Sequence, residues 1–180
     1  NLQATSVFNF PTARPPGPDD RANTQNVYGF VAELAVVEVD PVNGAVKIVD
    51  YYSVHDCGTV LNPAHVKGQV CGAVVQGISG ALFEQMRWDE SGQFITATLQ
   101  DYLMPTAVEA PEITLAHLET PSPHTVLGSK GVGEASSMSA PVVVANAVAD
   151  ALAPLGVSIT ALPLWPDTVW RMLRQVPAQC

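Results

Sequence analysis

The run Gly128-Ser129-Lys130-Gly131-Val132-Gly133-Glu134 limits most what this chain can fold into. Three glycines in seven residues let the backbone turn tightly, and they let its N–H groups approach a neighbour with no Cβ in the way. A carboxylate ends the turn just ahead of an apolar helical segment, where it can exchange protons with whatever the turn cradles. Neither common phosphate pattern fits. In G-x-x-x-x-G-K-[ST] the lysine follows the second glycine, whereas here Gly131 follows Lys130. In G-x-G-x-x-G the third glycine is replaced by Ser136, and no strand pattern precedes. On these residues alone the run is either a structural turn with an incidental glutamate or part of a site.

Around it, strand-like and helix-like segments interleave, which predicts an α+β fold. Residues 11–26 are rich in Pro, Asp, Arg and Asn and read as irregular surface. Residues 29–39 and 46–54 read as strands joined through Asp40-Pro41-Val42-Asn43-Gly44, with Asn43-Gly44 supplying positive φ for a hairpin. Asn62-Pro63 marks a helix start, with Asn as the N-cap, and that helix is expected to run to about Met86. It carries Gly68, Gly72, Gly77 and Gly80, each costing up to about 1 kcal/mol relative to Ala in a helix. Close approach of another backbone or of a ligand would explain them. Gln69, Gly72, Ala73, Gln76 and Gly80 share one stripe, a shallow groove between two amides. Residues 89–92 read as a turn, 93–100 and 113–119 as strands, and 120–128 as a Pro-rich loop. A second helix is expected from about Ser139, with Pro141 in its first turn and Val142, Ala145, Asn146, Ala149 and Leu152 on one face. Pro154 and Gly156 end it, and Pro166-Asp167 opens a last helix to about Gln175.

Composition narrows the partners. A chain of 180 residues is one domain's worth, split here into an irregular segment over 1–27 and a folded portion over 28–180. Charged residues are only 14%, well below the usual quarter or so, so much of the surface is expected to be covered by other protein. A net charge of −9 argues against nucleic acid and anionic membranes as partners. Cys57, Cys71 and Cys180 form no disulfide framework, which suits the cytoplasm. No apolar run is expected to reach the roughly 18 residues of a membrane span, and Asn1-Leu2-Gln3-Ala4-Thr5 has no signal-peptide pattern. With no initiator methionine, the chain is expected to be a piece of something longer. His55, Cys57, His65 and Cys71 fit no common zinc spacing and read as core, while Asp56 and Asp101 read as turn caps. Trp88, Trp165 and Trp170 read as packing residues.

Lys130-Gly131-Val132-Gly133-Glu134 closely resembles the signature of the xanthine dehydrogenase family of molybdenum hydroxylases, most of all the branch holding the large subunit of aerobic carbon monoxide dehydrogenase. Val54-His55-Asp56-Cys57-Gly58, Gly68-Gln69-Val70, Gln76-Gly77, Asp101-Tyr102-Leu103-Met104-Pro105 and Asn146-Ala147-Val148-Ala149-Asp150 follow in the family's order, over about residues 28–173. The resemblance implies the C-terminal part of the second molybdenum-cofactor-binding domain, built of hairpins and a few helices. It implies Glu134 as general base, Gln69 against the pterin, and Lys130, Gly131, Val132 and Gly133 touching the cofactor or pinning the loop beneath it. An amide such as Gln69 both donates and accepts, as pterin heteroatoms require. Gln76 is either a second cofactor amide or a packing amide, and Lys130 could instead pair with a structural carboxylate. The implied cofactor is a molybdenum–pterin, including its cytosine dinucleotide form, with no metal ligand from this chain. The implied partners are an upstream molybdenum-domain polypeptide, a 2Fe-2S subunit and an FAD subunit. A non-catalytic assembly module that keeps the fold is the other reading. His124-Thr125-Val126-Leu127 departs from the Asn-Pro-Leu found in relatives, and Ala135-Ser136-Ser137 specifies no substrate.

Overall fold

A computed structural model describes residues 2–8, 14–22, 25 and 27–175, so Cys180 and parts of the segment over 11–26 lie outside the described residues. Strands β1 (Phe30–Val39) and β2 (Val46–Asp56) form the expected antiparallel hairpin, with a bulge between Val36 and Val37. Only Gly44 of the turn has positive φ, at 75°. Asn43 contributes differently, accepting a 2.8 Å hydrogen bond from Ala45 N–H through its side chain. Strand β3 (Ile113–His117) pairs parallel to β2, so the sheet is mixed, in the order β1-β2-β3. A parallel pair needs a long crossover, and helix α1 (Pro63–Leu82) lies within it. The result is the α+β arrangement expected, with one sheet, three α-helices and a short 3-10 turn among the described residues.

Asn62 caps α1 as predicted, its side chain accepting from His65 N–H at 3.1 Å, with Pro63 in the first turn. The helix stops at Leu82 rather than near 86, because the N–H groups of Phe83 and Glu84 both turn onto the Ser79 carbonyl, at 2.8 and 2.9 Å. Residues 93–100 are not a strand; Trp88 and Phe94 make one isolated bridge. Local bonds compete too well. The Asp89 carboxylate accepts from the Ser91 and Gln93 N–H groups, and Asp101 and Tyr102 N–H both bond the Thr98 carbonyl, closing a turn before a ladder can grow.

Helix α2 (Ala135–Leu152) begins four residues earlier than Ser139, which places Pro141 in its second turn. Its buried stripe is Ser136, Ala140, Val144, Val148 and Leu152, not the face through Val142, which is 57% exposed. The reason is the crossing with α1: a Cβ on Gly77 would meet Ala140 Cβ at 2.6 Å and Pro141 Cδ at 2.9 Å, so small residues on both helices set the contact. The stretch Ala135–Leu155 is long and apolar enough to cross a membrane by length and composition, contrary to the sequence expectation. Here it lies against α1 and β1 and buries its stripe in the core. Helix α3 (Pro166–Gln175) covers the expected span and seats Val169 in the same core. Trp165 donates through Nε1 to the Phe83 carbonyl at 2.8 Å.

Candidate functional site

The glycine turn is tied to the end of β2. Ser129 bridges to Gly58, Lys130 N–H donates to the Cys57 carbonyl at 2.7 Å, and Thr59 N–H donates to the Gly128 carbonyl at 3.1 Å. Both Gly58 and Gly128 have left-handed φ, at 65° and 71°. A Cβ on Gly58 would lie 2.2 Å from the Gly128 carbonyl oxygen, so the two strands approach only because Gly58 lacks one.

Lys130 points inward. Its Nζ lies 3.3 Å from Asp56 Oδ2 and donates to Thr120 Oγ1 at 2.6 Å, and the Lys130 and Asp56 side chains are only 7% and 6% exposed. Asp56 Oδ1 also accepts from Gly58 N–H at 2.8 Å and Thr120 N–H at 3.2 Å, while the Thr120 hydroxyl donates to Oδ2. Burial pushes the Asp56 carboxyl up, but the bonds from Thr120, Gly58 and Lys130 outweigh it and hold the group well below the usual carboxylate range. Asp56 is therefore a turn cap, as expected, and also the structural carboxylate that Lys130 takes as partner.

From Lys130 onward the chain turns toward open space. Gly131, Gly133 and Glu134 are exposed, and Val132 is half-buried. Val132 lines two cavities. The first, about 260 Å³, also has Asn62, His65, Gln69 and Lys130 in its wall. The second, about 480 Å³, is lined by Tyr28, Gly133, Glu134 and Met138 among others. Glu134 occupies the N-cap position of α2, where the positive end of the helix dipole favours an anion. The sequence reading placed that helix several residues away. Its carboxylate makes no hydrogen bond to the described residues and is exposed within this chain.

Gln69 crosses from α1 to the turn, with its Oε1 3.5 Å from where a Cβ on Gly133 would stand. Gln76 lies two helical turns further on, exposed, and lines neither cavity. Ala73 does not share that groove; it is buried against the core. Cβ atoms on Gly68, Gly72, Gly80 and Gly131 would meet nothing within 4 Å. The open glycine positions, the Gln69 amide and the exposed turn backbone therefore fit a flat hydrogen-bonding group such as a pterin.

Glu33 escaped the sequence reading. Strand alternation puts it on the inner face with Ala35 and Val37, where it accepts from Tyr51 Oη and Ser53 Oγ, each at 3.0 Å, and from the Ser139 hydroxyl. A single carboxylate on an otherwise apolar strand face was the available signal. Burial, then the Glu33 charge, pushes the Tyr51 phenol up. His55 is buried with neither ring nitrogen hydrogen-bonded to the described residues, and burial, then His117, lowers its affinity for a proton. Burial raises the Cys57 thiol. Among the described residues, no group of three or more His, Cys, Asp or Glu could hold a metal ion.

The family model for the molybdopterin cofactor-binding domain matches residues 1–111. The chain belongs to this family. The nicotine 6-hydroxylase large subunit of Paenarthrobacter nicotinovorans is 46% identical over 141 residues, covering 78% of this chain and 17% of that subunit. The carbon monoxide dehydrogenase large chain of Hydrogenophaga pseudoflava is 38% identical over 148 residues, covering 82% of this chain and 18% of that one. The crystal structure of quinoline 2-oxidoreductase from Pseudomonas putida 86 superposes with a TM-score of 0.77 at 44% identity, over 79% of this chain and 18% of that one. The xanthine dehydrogenase molybdenum-binding subunit XdhA of Escherichia coli is 36% identical over 148 residues, and this chain spans only about a fifth of the length of such curated relatives. Carbon monoxide dehydrogenase large chains stand among the relatives, as the sequence reading expected, beside the nicotine 6-hydroxylase subunit.

Proposed function

We propose that this chain forms one wall of the molybdenum-cofactor site of a larger hydroxylase or dehydrogenase, with Glu134 as its general base. The observation that carries the reading is a carboxylate with no hydrogen bond to the described residues. It stands at a helix N-terminus, faces a cavity of about 480 Å³, and adjoins the turn that Gln69 reaches. When bound, the molybdenum–pterin cofactor supplies the two-electron redox chemistry. Gln69 would hold the pterin through its amide, with the Gly131, Val132 and Gly133 backbone offering further contacts to the cofactor. Lys130 acts through its backbone, since its ammonium is engaged by Asp56 and Thr120. Gln76 offers a second amide further along α1. Glu134 takes the proton from the water-derived oxygen that is added to a small substrate, and the fixed turn keeps its carboxylate in reach.

The complete enzyme would add an upstream molybdenum-domain polypeptide, and 2Fe-2S and FAD components that carry electrons away. From the family resemblance alone we further propose the cytosine dinucleotide form of the cofactor, and, on the three cysteines without a disulfide framework, a cytoplasmic location. The test is Glu134→Gln in the complete complex, with molybdenum measured on the same sample. Metal and fold should persist while substrate-driven reduction falls by about 10²–10⁴-fold, the range of general-base catalysis. A metallated variant that keeps more than about a tenth of the wild-type rate means that Glu134 is not the base. A native complex without molybdenum would favour the assembly-module reading.

A further inference from the structure

Three distant stretches of chain converge behind the glycine turn. Asp56 ends β2, Thr120 follows β3, and Lys130 lies within the turn itself. Their polar groups form a closed triangle: Lys130 Nζ donates to Thr120 Oγ1 and Asp56 Oδ2, and the Thr120 hydroxyl donates to Asp56 Oδ2. The backbone is bound to the same point, through Thr120 N–H and Gly58 N–H to Asp56 Oδ1 and through Lys130 N–H to the Cys57 carbonyl. The Phe30 ring lies 5.4 Å from Lys130 Nζ and screens it. Gly29 allows β1 to close over the junction, since a Cβ there would stand 3.1 Å from both the Asp56 and Gly131 carbonyl oxygens. Three residues separate this anchored lysine from Glu134, and two of them are exposed glycines.

We propose that Asp56, Thr120 and Lys130 are positioning residues that set where the Gly131–Glu134 turn stands, and so where the Glu134 carboxylate points. The inference rests on the base assigned above. A turn containing Gly131 and Gly133 has little stiffness of its own. Its aim depends on the fixed point behind it, and a charge-assisted buried triangle is a stiffer fixed point than neutral bonds would be. Hydrophobic replacement of a buried ion pair often preserves stability, so stability and positioning can be separated.

The experiment compares Asp56→Asn with the double variant Asp56→Asn/Lys130→Met in the complete complex, reading amide hydrogen exchange over residues 128–134 together with turnover and thermal stability. Exchange in that segment should rise about 10- to 100-fold in the single variant, the factor carried by hydrogen bonds to charged groups, while the α1 amides keep their protection. In the double variant, stability should return toward wild type while exchange stays raised and turnover stays low. Unchanged exchange in the single variant, or exchange and turnover that recover with stability in the double variant, overturns the proposal. Full turnover in Glu134→Gln would instead overturn the base assignment, and the exchange comparison would still decide whether the triangle positions the turn.

Discussion

Gln69, on α1, carries its Oε1 to within 3.5 Å of where a Cβ on Gly133 would stand, at the far end of the glycine turn. Sixty-three residues of chain lie between the two positions. Their meeting brings a donor–acceptor amide beside backbone that has no side chain to cover it.

Replacing Gln69 with Ala should weaken cofactor retention more than the chemical step. Losing a hydrogen bond to a buried polar group costs on the order of 1–3 kcal/mol. Molybdenum per protein should fall in the complete complex, while turnover per molybdenum stays within roughly tenfold of wild type, a barrier change of no more than about 1.4 kcal/mol. Full metal content with no turnover would assign Gln69 to the chemistry.

Two glycines of α1 should respond in opposite directions. At Gly77, a Cβ meets Ala140 and Pro141 atoms at 2.6 and 2.9 Å, so Gly77→Ala forces α1 and α2 apart. Overpacking costs about 1–3 kcal/mol and outweighs a gain in helix propensity of up to about 1 kcal/mol. Gly72→Ala meets nothing within 4 Å and should leave stability unchanged or slightly raised. Thermal unfolding of the pair checks this. Equal losses at both positions would mean that Gly72 is covered in the complete complex.

Asp56 links stability to pH. Its carboxyl is held below the ordinary value of 3.8, so the folded state binds the proton less readily than the unfolded chain. That contribution is fully present above 3.8 and is lost as pH falls through the lower folded value. The stability gap between wild type and Asp56→Asn should therefore be wide at neutral pH and close progressively below pH 3.8. A gap that stays constant to strong acid would show that the carboxylate's charge contributes nothing.

The chain expressed alone should hold little molybdenum. It spans only about a fifth of the length of its curated relatives, and the outer face of its sheet exposes Phe30, Leu34, Val49 and Tyr52. Molybdenum content of the isolated chain, compared with the complete complex, checks this. A metallated, active monomer of this length would contradict it.

Local signals in the sequence determined the hairpin, the start of α1 and the site motif. Gly44 needs positive φ, Asn62 can cap only a helix that starts beside it, and a turn bearing Gly131 and Gly133 leaves its backbone bare. Each is a property of a few adjacent residues, so no distant contact is needed to read it. Tertiary structure decided the rest. Residues 93–100 have strand-like composition but no partner strand, and their side chains and carbonyls close turns instead. The buried stripe of α2 follows from its crossing with α1 at Gly77, where Ala140 and Pro141 pack. The partnership of Lys130 with Asp56, across 74 residues, and the cluster of Tyr51, Ser53 and Ser139 around Glu33 exist only once β1, β2 and α2 have packed. A charge in sequence has no preferred partner; the fold excludes water from one pairing and makes it the strongest available.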